Sequence, residues 1–538
     1  MQKSNLKKTA ILAYMTVSVL FLLFFVYMGL FENVSVQTTR NPGASRTVEQ
    51  VSSEEIEDPS APIGIRREYR CILDDIGTND TSFAFYLVHH YAEVYFDGEL
   101  VYSLMPRDTN RIGKSVSSNW VAIPVYPSDN GKEVRVVVTP VFESVRDRKI
   151  EFQITPFHTL YLAQLKADMP QLILSVFCAG MGLVVMSVEL ILIRRKKTTQ
   201  WELFFLGNFI LLLGIWKLTD TRSSPLLFVG NPMLLGYLTI GALFLAGIPF
   251  ALYLSNRFSQ YKPTPALMLS LVASGTAMLT LFCQLVGIAD FKQTLPLAHV
   301  VEILLMILTF CIVAFHQTGS GTSGESKRSW FFTLLLICSA LADLLLFYIR
   351  KSSSGIVFTL LAILLYTLTL FIHNLLDISK KAYTDLPTGL LNKSLWDTLM
   401  DDPTPIREPV SIMMLDLNGL KYVNDTMGHE AGDKILRNFA NILRNAIPSP
   451  NIICRWGGDE FTVMLTDASR ETTEGYMEAF RSAVAAYNDS GEKPALHYAI
   501  GCALSSEFPG LSRKELLEQA DARMYLDKQR WYAQHTLS

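Results

Sequence analysis

Between residues 170 and 376 the chain is almost continuously apolar, and this excludes most ways of folding it. Seven runs are long enough to cross a bilayer as helices: about 170–193, 201–219, 226–254, 264–287, 295–316, 329–349 and 355–376. An eighth, 9–31, follows Lys3, Lys7 and Lys8. It is longer than a usual signal-peptide core and no Ala-x-Ala-like cleavage signal follows it. A retained anchor is therefore expected, with a cleaved signal peptide as the alternative. Hydrophobic residues make up 50% of the 538, high for a soluble protein and ordinary for one with large intramembrane parts.

Eight crossings place both termini on one side of the membrane. Arg194 to Lys197, Arg257, Lys262, Lys327, Arg328, Lys380 and Lys381 fall in loops that this arrangement assigns to the cytoplasm. Arg222, Lys292, Arg350 and Lys351 fall outside, so the positive-inside bias is clear but imperfect. Residues 1–31 are then an anchor, 32–165 an external domain, 166–376 a seven-helix bundle, 377–383 a short linker and 384–538 a cytoplasmic domain. The linker is too short for a coiled-coil stalk. A signal would pass as a change in helix position or in the spacing of two chains.

Glu189, Lys217, Glu302 and Asp343 lie within the spans, with His299 near an end. Ionisable groups in lipid mark either a function, such as a transport path, or a buried polar contact between helices. No internal repeat or pair of Gly/Pro-broken spans is evident, which favours the contact. The formal net charge of −3 gives no case for nucleic-acid binding. The seven cysteines, Cys71, Cys178, Cys283, Cys311, Cys338, Cys454 and Cys502, have no zinc-site spacing. They predict neither a disulfide framework nor a structural metal site.

Composition changes in 32–165. The stretch 41–64 is Pro/Ser/Glu-rich and reads as a linker. Strand signals follow at 83–88, 92–96, 99–102, 120–125, 134–142 and 150–154, with Asp97-Gly98 as a tight hairpin turn. The pattern predicts a β-sandwich. Its Ala-Glu-Val-Tyr-Phe-Asp-Gly-Glu run resembles the carbohydrate-binding-like sandwiches of sugar hydrolases and bacterial receptor ectodomains. That implies a sensor for an unknown external ligand, or a structural lid. His89 and His90, taken as strand neighbours, point to opposite faces and are not expected to share a metal.

The C-terminal region alternates strands (410–415, 451–454, 462–465, 496–504) with helices (430–447, 471–487, 513–534), the pattern of an α/β sandwich with one open sheet. Between two of the strands stands Arg455-Trp456-Gly457-Gly458-Asp459-Glu460-Phe461, which reads as a hairpin. Gly457 and Gly458 are expected to turn the backbone at φ > 0 and to let a bulky ligand lie against it. Asp416 ends a buried strand. If that strand neighbours the hairpin, Asp416 and Asp459 face each other. Two carboxylates so placed repel unless a divalent cation joins them. Magnesium suits an oxygen-only set, with substrate phosphates completing its shell and Lys421 within reach of them.

Three tracts occur in order: Asp-Leu-Pro-Thr-Gly-Leu-Leu-Asn at 385–392, Asp-Leu-Asn-Gly-Leu-Lys-Tyr-Val-Asn-Asp-Thr-Met-Gly-His-Glu-Ala-Gly-Asp at 416–433, and Gly-Gly-Asp-Glu-Phe at 457–461. Together they resemble the GGDEF family of diguanylate cyclases over about residues 383–530. The family is bacterial and condenses two GTP to cyclic di-GMP and pyrophosphate. The resemblance implies that Asp416, Asp459 and the Leu417 carbonyl hold magnesium. Asp459, or Glu460 in its place, would take the proton of the attacking ribose 3′-hydroxyl, and Lys421 would stabilise charge at the α-phosphate. Asn424 and Asp433 would read guanine, and Lys528 would contact phosphate. The unit would be a homodimer through these domains in the bacterial cell (plasma/inner) membrane. The bundle with its external sandwich resembles the seven-transmembrane receptors with diverse intracellular signalling modules.

Four departures from the pattern stand out. Asn418 replaces an acid, Lys393 an arginine and Tyr532 a phosphate-binding arginine. Pro448-Ser449-Pro450-Asn451 occupies the place of the Arg-x-x-Asp product-inhibition motif, so no feedback is expected there. The rival readings are a non-catalytic receptor whose domain binds GTP or a partner protein, and a transporter with a regulatory nucleotide domain.

Overall fold

The computed structural model describes residues 2–31, 34–37, 46–48, 51–74, 76, 81–106, 112, 115–195, 201–227, 231–257, 264–319, 357–401, 409–466 and 468–535, with short pieces of 331–345. They form two compact units, Met1–Phe371 and Ile372–Ser538.

Seven helices among the described residues are long and apolar enough to cross a membrane: Asn5–Phe31, Phe157–Arg194, Glu202–Thr219, Pro232–Arg257, Thr264–Val286, Phe291–Ile312 and Val357–Lys380. This is consistent with a membrane protein. The expected span at 329–349 lies largely outside the described residues, as do Lys196, Lys197, Lys262, Lys327, Arg328, Arg350 and Lys351. The first helix buries Ala10, Tyr14, Val17, Phe21, Phe24 and Met28, one stripe at helical spacing. Its other face exposes Leu12, Met15, Val19, Leu22 and Val26, so it is apolar all round.

Two helix boundaries differ from the expectation. The second helix begins at Phe157 and runs through Pro170 rather than starting there. Two residues before Pro170, Asp168 is tied to the segment after the helix Glu202–Thr219 by accepting from Ser223 N (2.9 Å) and Oγ (2.8 Å). The expected 226–254 run divides into the short helix Ser224–Leu227 and the helix Pro232–Arg257.

The intramembrane ionisable groups have polar partners. Lys217 donates to Asp220 (2.7 Å), and His299 lies 3.3 Å from Glu302. Asp343 accepts from the backbone N–H groups of Phe358 (3.1 Å) and Thr359 (2.8 Å), capping the helix Val357–Tyr383. That helix continues unbroken through 377–383.

The β-rich part of this unit has two antiparallel sheets. One orders its strands Val34–Gln37, Glu99–Pro106, His90–Phe96, Glu133–Pro140, Ile65–Ile72 and Ser52–Glu57; the other Arg46–Thr47, Phe152–Thr155, Thr81–Val88 and Ser118–Val125. Tyr69 of the first meets Phe152 of the second at 5.2 Å, and Phe83 stacks on Phe152 at 5.4 Å. Alternation is plain in His90–Phe96, where every second residue is buried. Asp97 (φ 46°) and Gly98 (φ 86°) make the expected tight turn.

Two readings are corrected here. The stretch read as a linker contains the edge strand Ser52–Glu57, exposed at every position, so no alternation marks it. His89 (φ 55°) sits between a strand of one sheet and a strand of the other, not beside His90 within one strand.

The C-terminal unit is a five-stranded sheet ordered Leu391–Asn392, Ile452–Arg455, Glu460–Leu465, Ser411–Leu417, Tyr498–Leu504. Its strand Ser411–Leu417 is buried at all positions. On one face the helix His429–Ala446 contributes Ile435, Leu436, Phe439, Ala440 and Leu443 to the core, with Phe439 4.8 Å from Phe461. On the other face Trp396, Leu516, Ala520 and Met524 pack against Ile412 and Met414.

Candidate active site

The hairpin and the strand Ser411–Leu417 are hydrogen-bonded neighbours. They run antiparallel with Asp416 opposite Glu460, and Leu417 N donates to Asp459 O at 2.8 Å. Pairing of a fully buried strand fixes this register, because a slip of one residue would turn its side chains to the wrong faces. Trp456 N and Gly457 N both donate to Glu460 O (2.8 and 3.2 Å), closing the turn.

The turn works differently from the expectation. Neither Gly457 nor Gly458 has a positive φ. A Cβ on Gly457 would lie 2.6 Å from Glu460 Oε2, whereas one on Gly458 would meet nothing within 4 Å. The first glycine makes room for the carboxylate, and the second leaves open space above the tip.

Asp416 is 3% exposed. Its Oδ2 accepts from Lys528 Nζ at 2.5 Å, and its Oδ1 is buried with no hydrogen-bond partner. Burial raises the Asp416 carboxyl above its ordinary range, and the charge of Asp459 adds to this against the lowering by Lys528. Burial alone would pull Lys528 down, but its hydrogen bond and the charges of Asp416 and Asp459 hold it up. Glu460 is raised by burial, then by Asp416, Asp459 and Asp521. Acidic charge is therefore concentrated at the hairpin tip with one lysine to offset it.

Asn418 also lies in this place, 5% exposed, with both Oδ1 and Nδ2 buried and unpartnered. Orphan polar atoms of this kind beside a carboxylate fit an oxygen-liganded divalent cation and its water shell. Asp416, Asp459 and the Leu417 carbonyl are the residues that would hold it. No group of three or more His, Cys, Asp or Glu side chains with metal-site geometry is found among the described residues.

The other expected residues fall on two helices beyond the strand. Gly419 (φ 78°) turns the chain into Leu420–Met427, where Lys421 is exposed. Gly428 (φ 85°) turns it again into His429–Ala446. A Cβ at Gly432 would lie 2.0 Å from Asn424 Oδ1, so the absence of a side chain lets Asn424 lie against the helix that carries exposed Asp433. Tyr532 is exposed against Trp531 (5.0 Å), and Lys393 lies over the Trp456 ring at 4.2 Å.

Sequence reasoning missed the supports of the site. Arg455 donates to Gly458 O (2.6 Å) and to both oxygens of Asp385 (3.1 and 3.2 Å), fastening the hairpin tip to the tract at 385–392. Asp527 accepts from Ile500 N (3.0 Å) and so fixes the last helix, with its neighbour Lys528, to the sheet edge. Opposite charge in two of the motifs was the one available sign of the Arg455–Asp385 pair.

Residues 382–532 match the family model described as Diguanylate cyclase, GGDEF domain. Diguanylate cyclase DosC of Escherichia coli (strain K12) is 33% identical over 153 residues, 27% of this chain and 33% of its own. Response regulator PleD of Caulobacter vibrioides (strain NA1000 / CB15N) is 32% identical over 166 residues, 29% of this chain and 37% of its own. Among solved structures, the GGDEF domain of DgcB from Caulobacter crescentus in complex with c-di-GMP is 27% identical, covering 28% of this chain and 91% of that one, with a TM-score of 0.25. This chain thus spans about a third of the length of these curated relatives. Its residues 382–532 are similar to the GGDEF domains of diguanylate cyclases.

Proposed function

We propose that the protein is a membrane-bound sensory diguanylate cyclase, joining two GTP into cyclic di-GMP with release of pyrophosphate. The observation that carries this reading is the pairing of Asp416 opposite Glu460, with Asp459 between the strands and one Asp416 oxygen buried without a partner. When bound there, magnesium would neutralise charge on the triphosphate and favour ionisation of the ribose 3′-hydroxyl.

The chain's own residues do the rest. Asp416, Asp459 and the Leu417 carbonyl are the groups that would hold the ion. Asp459, or Glu460 beside it, takes the 3′-hydroxyl proton; the raised carboxyl of Glu460 suits a proton acceptor working nearer neutrality. Lys421 stands on the first turn after the strand and offsets charge at the α-phosphate as it is attacked. Lys528, on Asp416 at 2.5 Å, is the lysine that would contact the phosphates. Asp433 accepts from the ring N–H and amino group of guanine, and Asn424 beside it reads the same base. Adenine has an acceptor at that ring position, so the unmatched carboxylate would disfavour it. Gly457 and Gly458 keep the tip free of side chains where the nucleotide lies.

Each domain offers one such set, and the reaction needs two nucleotides in opposite orientation. The active unit is therefore a homodimer with the chemistry at its interface. The N-terminal anchor and the seven-helix bundle of 166–376 make eight crossings, so both termini are cytoplasmic, and residues 32–165 are external and receive the signal. The test is incubation of the full chain in lipid nanodiscs with GTP and magnesium. Wild type is expected to form cyclic di-GMP and Asp459→Ala to form none. GTP bound but never condensed by wild type would leave the non-catalytic receptor as the better reading.

A further inference from the structure

The last helix of the C-terminal unit, Arg513–His535, places Lys528 on Asp416, and its packing fixes where that lysine starts from. A Cβ at Gly501 would collide with Ala520 O and Met524 N, so the helix backbone lies directly on the sheet. Asp527, the residue before Lys528, accepts from Ile500 N at 3.0 Å. The helix is thereby held, and the freedom of Lys528 resides in its own four-carbon stem. Its side chain is 27% exposed and that of Asp416 4%, so the ammonium stands between the buried carboxylate and solvent.

Lys528 Nζ donates to Asp416 Oδ2 at 2.5 Å, while Oδ1 of the same carboxylate is buried without a hydrogen-bond partner. An arginine would bring a planar fork able to take both oxygens; a lysine is a point charge and here takes one. Two positions on, Asn418 is buried with both polar atoms unpartnered and carries no charge. An acid at that position would add a second buried negative charge for the lysine to share. The asparagine leaves Lys528 to Asp416. A divalent cation drawn to Asp416 must either share it with an ammonium or displace that ammonium. Sharing sets like charges side by side where water screens them poorly, and displacement breaks the ion pair.

We propose that Lys528 sets the metal affinity of this site: it competes with a divalent cation for Asp416, and a polyphosphate ends the competition by offering the ammonium other oxygens. The inference rests on the metal site proposed above and adds an order of events to it. The ion is taken up weakly by the protein alone and tightly together with a nucleoside triphosphate.

The probe is manganese, measured as free ion by electron paramagnetic resonance in equilibrium with the full chain in zwitterionic nanodiscs, protein-free discs being subtracted. Without nucleotide, Lys528→Met is expected to bind manganese about tenfold or more tighter than wild type. A damaged fold would weaken binding, so such a gain cannot come from unfolding. Lys528→Arg, which keeps the charge and can take both oxygens, should bind no tighter than wild type. A gain that survives addition of Asp416→Asn to Lys528→Met does not arise at this carboxylate and overturns the proposal. A second measurement follows retention of radiolabelled 3′-deoxy-GTP, which lacks the attacking hydroxyl, with and without manganese. Equal manganese affinity in wild type and Lys528→Met, with nucleotide retention still dependent on manganese, overturns the competition and leaves the cyclase reading standing. Absence of manganese-dependent retention in both proteins overturns the two together.

Discussion

Lys528 offsets part of the charge on a carboxylate that is almost wholly buried and has one oxygen without a partner. Replacing it with methionine would leave Asp416 buried and unpaired. Breaking a fully buried pair costs several kcal/mol; this lysine is partly exposed, so a loss of about 1–2 kcal/mol is expected. Thermal unfolding of the full-length Lys528→Met variant would show it, and millimolar magnesium should recover much of the difference by occupying the same carboxylate. A midpoint indifferent to magnesium would speak against the metal assignment. Gly457→Ala should behave in the opposite way. The added methyl meets only the flexible end of Glu460, so stability should change by less than about 0.5 kcal/mol. Turnover should nevertheless fall, because the carboxylate is pushed from its place. At this scale the acids were legible, since an acid that ends a buried strand and another at a hairpin tip are visible in the order of residues. The burial of Asn418 and the reach of Arg455 to Asp385 were not. They depend on side chains far apart in sequence meeting across a sheet.

The three longer helices and four of the five strands in the C-terminal unit followed from apolar periodicity. The eight-residue helices Lys393–Met400 and Leu420–Met427 and the two-residue strand Leu391–Asn392 were too short to show it. The unit's closest packing did not follow from periodicity. A Cβ on Gly501 would lie 2.1 Å from Ala520 O and 2.2 Å from Met524 N, both backbone atoms of the last helix. Gly501→Ala should therefore lift that helix from the sheet and cost about 2–3 kcal/mol. Thermal unfolding of the full chain checks this; a loss under 1 kcal/mol would mean that the helix shifts at little cost. In the β-rich part, Ser52–Glu57 was illegible because every position is exposed and no alternation marks it. The passage between the two sheets carries a further consequence. His89 is pushed down to about 3 and His90 to about 4, each chiefly by burial. Unfolded, both would titrate near 6.5. Their contribution to stability is complete above that pH and is lost as pH falls towards the folded values. At pH 5 the loss is about 2 kcal/mol for each. Melting midpoints from pH 7.5 to 5 should fall steeply in wild type and less so in His89→Gln/His90→Gln.

At the scale of the whole molecule, the proposed reaction needs more than one chain. Each domain would activate the 3′-hydroxyl of its own nucleotide, and the ring closes only when both hydroxyls have attacked. Nanodiscs holding a single chain should therefore make no cyclic di-GMP, whereas discs holding two should. Pairing one wild-type chain with one Asp459→Ala chain sharpens the expectation. In that pair one hydroxyl has lost its proton acceptor and the other has not. One phosphodiester bond forms, one pyrophosphate leaves, and a linear dinucleotide still bearing a triphosphate accumulates. Chromatography of the products separates this species from the cyclic one. Cyclic product from the mixed pair at the wild-type rate would mean that one set of residues performs both attacks, and that the need for two chains has been misread.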